Sequence, residues 1–196
     1  MSGVIGDNVY RASGVVAAAG GGGAWNFISE TALDTSPILI TGLDSTYDTY
    51  IFVLNGIHFT EQSGGQWFQC QLYQSGAAVS TSSYNWAMTV MGDWRSDVTA
   101  SYSTATTYWK LSNDGNVLTT AAVTDCILYL FNPSSTTVWP SILYSKMGES
   151  YPARTEVQYG GGQFQGTGTA TTGLQFIPGH GSFDGGTLRL YGLSKS

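Results

Sequence analysis

Apolar side chains recur along this chain at two-residue spacing, in short runs broken by Gly-, Pro-, Asn- and Ser-containing stretches. That period predicts strands rather than helices. The most continuous run, Cys126-Ile127-Leu128-Tyr129-Leu130-Phe131, carries no charge and is too short for a helix, so it reads as a strand buried on both faces. Asn132-Pro133-Ser134-Ser135 then predicts a turn, because Pro presets φ and Asn bonds its own backbone. Thr136-Thr137-Val138-Trp139, rich in β-branched side chains, predicts the returning arm. The result is a hairpin at the centre of an all-β domain.

The same reading extends along the chain. Trp25-Asn26-Phe27-Ile28 and Pro37-Ile38-Leu39-Ile40 are short strands, with Pro37 at a first position, where its missing N–H does least harm. Thr49 to Ile57 sets Tyr50, Phe52 and Leu54 on one face and Ile51 and Val53 on the other, which places it mid-sheet. In Gln66 to Tyr73, Phe68, Cys70 and Leu72 alternate with Gln69 and Gln71. Tyr84 to Val90 alternates in the same way. Gly92 to Thr106 is polar and weakly patterned, and reads as a long loop. Tyr108 to Leu111 is a short strand closed by a turn at Asn113-Asp114-Gly115-Asn116, and Val117 to Val123 leads into the central hairpin.

After Tyr144, Gly148 to Pro152 reads as a loop and Thr155 to Tyr159 as a strand followed by Gly160-Gly161-Gly162. Thr172 to Ile177 is a strand. Asp184-Gly185-Gly186 turns into Thr187 to Leu193, with Leu188 and Leu190 inward and Arg189 outward. Short strands with turn signals roughly every 8 to 12 residues predict a sandwich or barrel.

Residues 1–19 show neither period, and Gly20 to Gly23 form a flexible joint. The chain therefore divides into an extended arm and joint, 1–23, and a β-sandwich, 24–196. Free termini of such composition fray unless tied down, so Val4, Ile5, Val9, Tyr10, Arg11 and Val15 are expected to anchor the arm on a partner chain, with folding back on its own domain as the alternative.

Composition sharpens this picture. Only 10% of the 196 residues are charged, Gly numbers 26, and Tyr, Phe and Trp number 12, 8 and 6. Disorder is excluded by that aromatic content, and a surface with so little charge suits a chain covered by neighbours. The net charge is −6 with seven scattered Lys and Arg, which gives no basic patch for nucleic acid. The sequence shows no signal-peptide pattern and no run long enough to span a bilayer as a helix. Cys70 and Cys126 are expected as free core thiols.

No reaction chemistry emerges. His58 and His180 stand alone, Asn113 to Asn116 lacks the Glu of a calcium loop, and Asp44 and Asp48 read as turn carboxylates. Glu30, Glu61, Glu149 and Glu156 show no pairing of the kind glycoside hydrolysis needs. Ser182, after Gly179-His180-Gly181, lacks the setting of a nucleophile elbow. No catalytic, cofactor or metal residue is expected. Trp67, Trp86, Trp94, Trp109 and Trp139 fit either core filling or stacking on sugar rings. Trp94 and Arg95, in a polar loop, are the candidates for an exposed subunit or ligand contact.

Four pieces, MSGVIGDNVYRASG, GLDSTYDTYIFVLNGIHF, LYLFNPSSTT and GGTLRLYGL, together resemble a group of tailed-bacteriophage virion structural proteins, described as tail-fibre or minor structural proteins. The resemblance runs in order over most of the chain and is faint from Gly76 to Asn116. It implies a jelly-roll-like sandwich without catalytic residues, assembled on a virion made in the bacterial cytoplasm. Its partners would be capsid, neck or tail proteins and copies of itself, with a trimer favoured. It leaves open whether the chain decorates the capsid, forms a vertex or neck fibre, or sits on the tail. The reading is a non-enzymatic virion component, with capsid decoration or cementing ahead of a fibre. A lectin-like module for host-surface glycans is the alternative from the aromatic residues.

Overall fold

A computed structural model describes residues 25–60, 67–93, 96–112, 123–151, 154–166 and 168–193. The described residues form thirteen strands. They are β1 (Trp25–Ala32), β2 (Ile38–Thr41), β3 (Thr49–Phe59), β4 (Phe68–Gln74), β5 (Ala77–Ala78), β6 (Tyr84–Gly92) and β7 (Thr99–Thr106). The chain continues with β8 (Trp109–Lys110), β9 (Thr124–Phe131), β10 (Ser141–Tyr151), β11 (Arg154–Phe164), β12 (Gly173–Pro178) and β13 (Phe183–Leu193). They form two antiparallel sheets. The larger has the order β1-β13-β3-β9-β10-β11-β6-β7, and the smaller runs β2-β12-β4-β5, with β8 also on β4. The chain crosses repeatedly from one sheet to the other, so the molecule is an all-β antiparallel sandwich of the interleaved, jelly-roll-like kind.

Alternation sets the core. On β9, Cys126, Leu128 and Leu130 point inward, and on β3 Tyr50, Phe52 and Leu54 do so; they meet Leu72, Leu174 and Phe176 of the smaller sheet. Phe52 and Phe176 touch edge to face across the layer, with centroids 5.7 Å apart. Tyr84 is buried yet satisfied: its hydroxyl donates to the Val79 carbonyl and accepts from the Leu72 N–H. Trp109 packs at right angles on Tyr84, centroids 5.0 Å apart. Cys70 and Cys126 are both buried and unpaired, as expected.

β9 and β10 occupy the middle of the larger sheet, where the sequence placed its central hairpin, and β3 is likewise an interior strand. Several boundaries differ. The returning arm begins at Ser141, opposite Phe131, rather than at Thr136. Asn132 takes a left-handed φ of 54° and its connection stays irregular through Pro140. Thr99–Thr106, part of the expected long loop, is the edge strand β7. β10 continues through Gly148 to Tyr151 instead of breaking. Asp184-Gly185-Gly186 is a pair of bulges inside β13 rather than a turn before it.

Glycine explains a further difference. Gly160, Gly161 and Gly162 lie inside β11, which runs unbroken to Phe164. A Cβ at Gly162 would come within 2.5 Å of the Trp109 ring. The glycines there make room for cross-sheet aromatics rather than bending the chain.

Candidate interaction face

The side of the larger sheet that faces away from the smaller one is the feature that sets this molecule apart from an ordinary sandwich. One cross-strand row can be followed across all eight strands: Phe27, Tyr191, Ile51, Tyr129, Leu143, Gly161, Ala87, Tyr102. Each member is directly opposite the next, and no member is charged. A neighbouring row carries Val53, Ile127, Ser145, Tyr159 and Thr89. Met147, Val157 and Met91 form another.

Sequence dictates this directly. In Cys126 to Phe131 both parities are apolar, so whichever enters the core leaves apolar side chains on the other face; here Cys126, Leu128 and Leu130 enter, and Ile127, Tyr129 and Phe131 remain outside. The sequence reading had this strand buried on both faces. Within one chain it is buried on one: Ile127 is exposed, and Tyr129 and Phe131 are half-buried. Leu143, Met147 and Tyr159 are each more than half exposed, at 55%, 53% and 51%.

Part of the face is already packed. Ile51 is fully buried although it points away from the inter-sheet core. Rings surround its strand: Trp25 meets Tyr191 at 5.6 Å and Tyr129 at 6.4 Å, and Phe27 meets Tyr191 at 5.7 Å. Tyr129 stacks on Phe131 at 6.3 Å. This aromatic cluster sits on a rigid sheet, and its rings need little ordering before contact.

Among the described residues, charge on this face lies at its margins. Glu30 and Arg189 pair at 2.6 Å near the β1 edge, both well exposed. Asp125 accepts a hydrogen bond from the Gly56 N–H at 2.8 Å, where β3 bulges against β9. At the other margin, Tyr102 stands 78% exposed on β7. It borders a trough of about 460 Å³ lined by Asn85, Trp86, Ala87, Gly161 and Gln163.

Val4, Ile5, Val9, Tyr10, Arg11 and Val15, together with Trp94 and Arg95, lie outside the described residues. Trp86 and Trp109 are core side chains. Trp67 packs on Tyr108 at 5.6 Å, with the Lys110 ammonium 5.4 Å from its ring. Trp139 is exposed beside Val138 on the β9–β10 connection. Asp44 holds a turn, accepting from the Thr46 N–H and bonding the Tyr50 hydroxyl. His58 lies on β3 beside Gly185, and His180 is exposed in a bend. Among the described residues, no three His, Cys, Asp or Glu side chains are grouped so as to hold a metal ion. Comparison with protein-family models, with curated proteins and with solved structures finds no match.

Proposed function

We propose that this chain is a non-catalytic structural subunit that assembles through the outward face of its larger sheet. The resemblance noted in the sequence gives the setting: a tailed-phage virion, with the chain decorating or cementing the capsid or forming part of a fibre, and residues 1–23 docking it on the particle. The observation that carries the reading is the uncharged row from Phe27 to Tyr102.

Size supports it. The sixteen positions of the three outward rows, about 4.8 Å apart between strands and about 7 Å apart between rows, give a face on the order of 500 Å². Monomers rarely leave an apolar patch of more than a few hundred Å² in water. A standard protein interface takes about 800 Å² from each partner. The face supplies much of one such interface, and copies of the same chain are the partner favoured here, with the trimer of the resemblance as the expected closed form.

Sedimentation of the full-length chain tests the assembly, with an oligomer as the expected result. Loss of residues 1–23 is expected to abolish incorporation into particles while the sandwich stays folded. A wild-type chain that sediments as a monomer at tens of micromolar, or normal incorporation of the shortened chain, would remove the reading.

A second reading, glycan binding, rests on the trough beside Tyr102. An exposed aromatic ring flanked by the amides of Asn85 and Gln163 is a combination that stacks on and hydrogen-bonds a sugar. Binding on a glycan array that disappears in Tyr102→Ala would favour it over assembly.

A further inference from the structure

One end of the inter-sheet core is polar. Lys146, Glu156 and Gln158 point inward from the adjacent strands β10 and β11 and are 2%, 1% and 0% exposed. Lys146 is directly opposite Gln158 on one side and Cys126 on the other. Glu156 lies two residues from Gln158 on the same strand and so faces the same way. Its Oε1 accepts a hydrogen bond from Gln158 Nε2. One row beyond, Thr124 contributes a buried hydroxyl with no hydrogen-bond partner among the described residues.

A lysine in a dry core is costly as an ammonium ion. Burial pulls Lys146 down from its ordinary value to about 8, and the nearby Glu156 carboxylate restores only part of that. A desolvated amine that readily loses its proton is a nucleophile. Its neighbour presents an electrophile: directly opposed Cβ atoms on antiparallel strands lie about 4.5–5.5 Å apart, within reach of a lysine arm bending towards a glutamine carboxamide. Glu156 is bonded to the amide nitrogen, the atom that would leave in acyl transfer.

We propose that Lys146 and Gln158 become joined by an intramolecular amide bond, with Glu156 as the proton-transfer group. The neutral Nζ attacks Cδ of Gln158. An Nζ–Cδ bond forms and the Cδ–Nε2 bond breaks. Glu156 takes the proton released by Nζ and delivers one to Nε2, which departs as ammonia, so the carboxyl group ends as it began. The step consumes no oxidant, reductant or co-substrate. The dry surroundings keep water from competing for the carboxamide carbon. The product staples β10 to β11 in the middle of the larger sheet.

The test is the mass of the full-length, folded chain. It is expected to be one ammonia lighter than its sequence requires. Fragmentation of a digest is expected to link the peptides holding residues 146 and 158, with no tryptic cleavage after Lys146. Glu156→Gln keeps the side chain's size; it is expected to fold, by circular dichroism, and to retain the full sequence mass. Should Glu156→Gln fail to fold, the wild-type digest still decides. A folded wild-type chain at its full sequence mass, or an ammonia loss that maps to other residues, overturns the proposal.

Discussion

Tyr144 lies directly against Gly160 on the neighbouring strand: a Cβ there would come within 2.5 Å of the phenolic oxygen. The ring has no easy retreat, because its hydroxyl donates to the Lys110 carbonyl at 3.2 Å and it is almost wholly buried. Gly160→Ala is therefore an overpacking substitution. It is expected to cost about 1–3 kcal/mol, read as a lower urea midpoint.

The outward face gives the opposite expectation. Leu143 is opposite Tyr129 and Gly161 and over half exposed. Leu143→Lys is expected to change the stability of the isolated subunit by no more than about 0.5 kcal/mol, as for other surface positions. The same change is expected to shift sedimentation from oligomer to monomer, since it buries an unpaired charge in the assembled face.

The two thiols should be silent in the folded chain. Burial pushes the Cys126 thiol up to about 12 and raises Cys70 as well. Neither supplies thiolate near neutral pH, so labelling by a disulfide reagent at pH 8 is expected only on adding denaturant. Above pH 9 the unfolded chain releases these protons while the folded chain holds them. Stability is then expected to fall with rising pH, by about 1.4 kcal/mol per pH unit for each group. Lys146 works in the other direction. With its folded value near 8 and its ordinary value at 10.5, a free Lys146 adds stability as pH rises through that window. An amide-linked Lys146 cannot, so urea midpoints of wild type and Glu156→Gln are expected to diverge there.

Thr124 offers a stabilising change. Its hydroxyl is fully buried and unpartnered among the described residues, beside Gly148. Thr124→Val replaces that polar atom with a methyl group of similar size. Removing an unsatisfied group is expected to gain up to about 1 kcal/mol, measured by thermal or chemical unfolding.

How far the sequence reveals this molecule follows from what alternation reports. The period-2 pattern located β3, β4, β6, β9, β12 and β13, because each sends one apolar parity into the core. It reports which side chains are apolar and not which become covered, so the doubly apolar Cys126 to Phe131 read as covered on both faces, whereas Ile127 is exposed. β7 escaped notice since Thr99–Thr106 is an edge strand of small and polar residues with little to bury. The strand read as Thr155 to Tyr159 alone because the aromatics that Gly160 to Gly162 accommodate, Tyr144 and Trp109, are remote in sequence. The Lys146, Glu156 and Gln158 cluster left one trace: Lys146 shares the parity of Ile142 and Tyr144. Its partners became visible only with the β10–β11 register.

The pairing of the first described strand with the last has a kinetic meaning. Trp25 is opposite Leu193, and β13 also forms the ladder to β3. On the ribosome, β1 must wait without its neighbour until nearly all the other strands have been synthesised. This edge can therefore zip up only late, after long-range loop closure, and the nascent chain spends its youth with apolar strands such as β3 only half matched. Chaperones would meet it in that state.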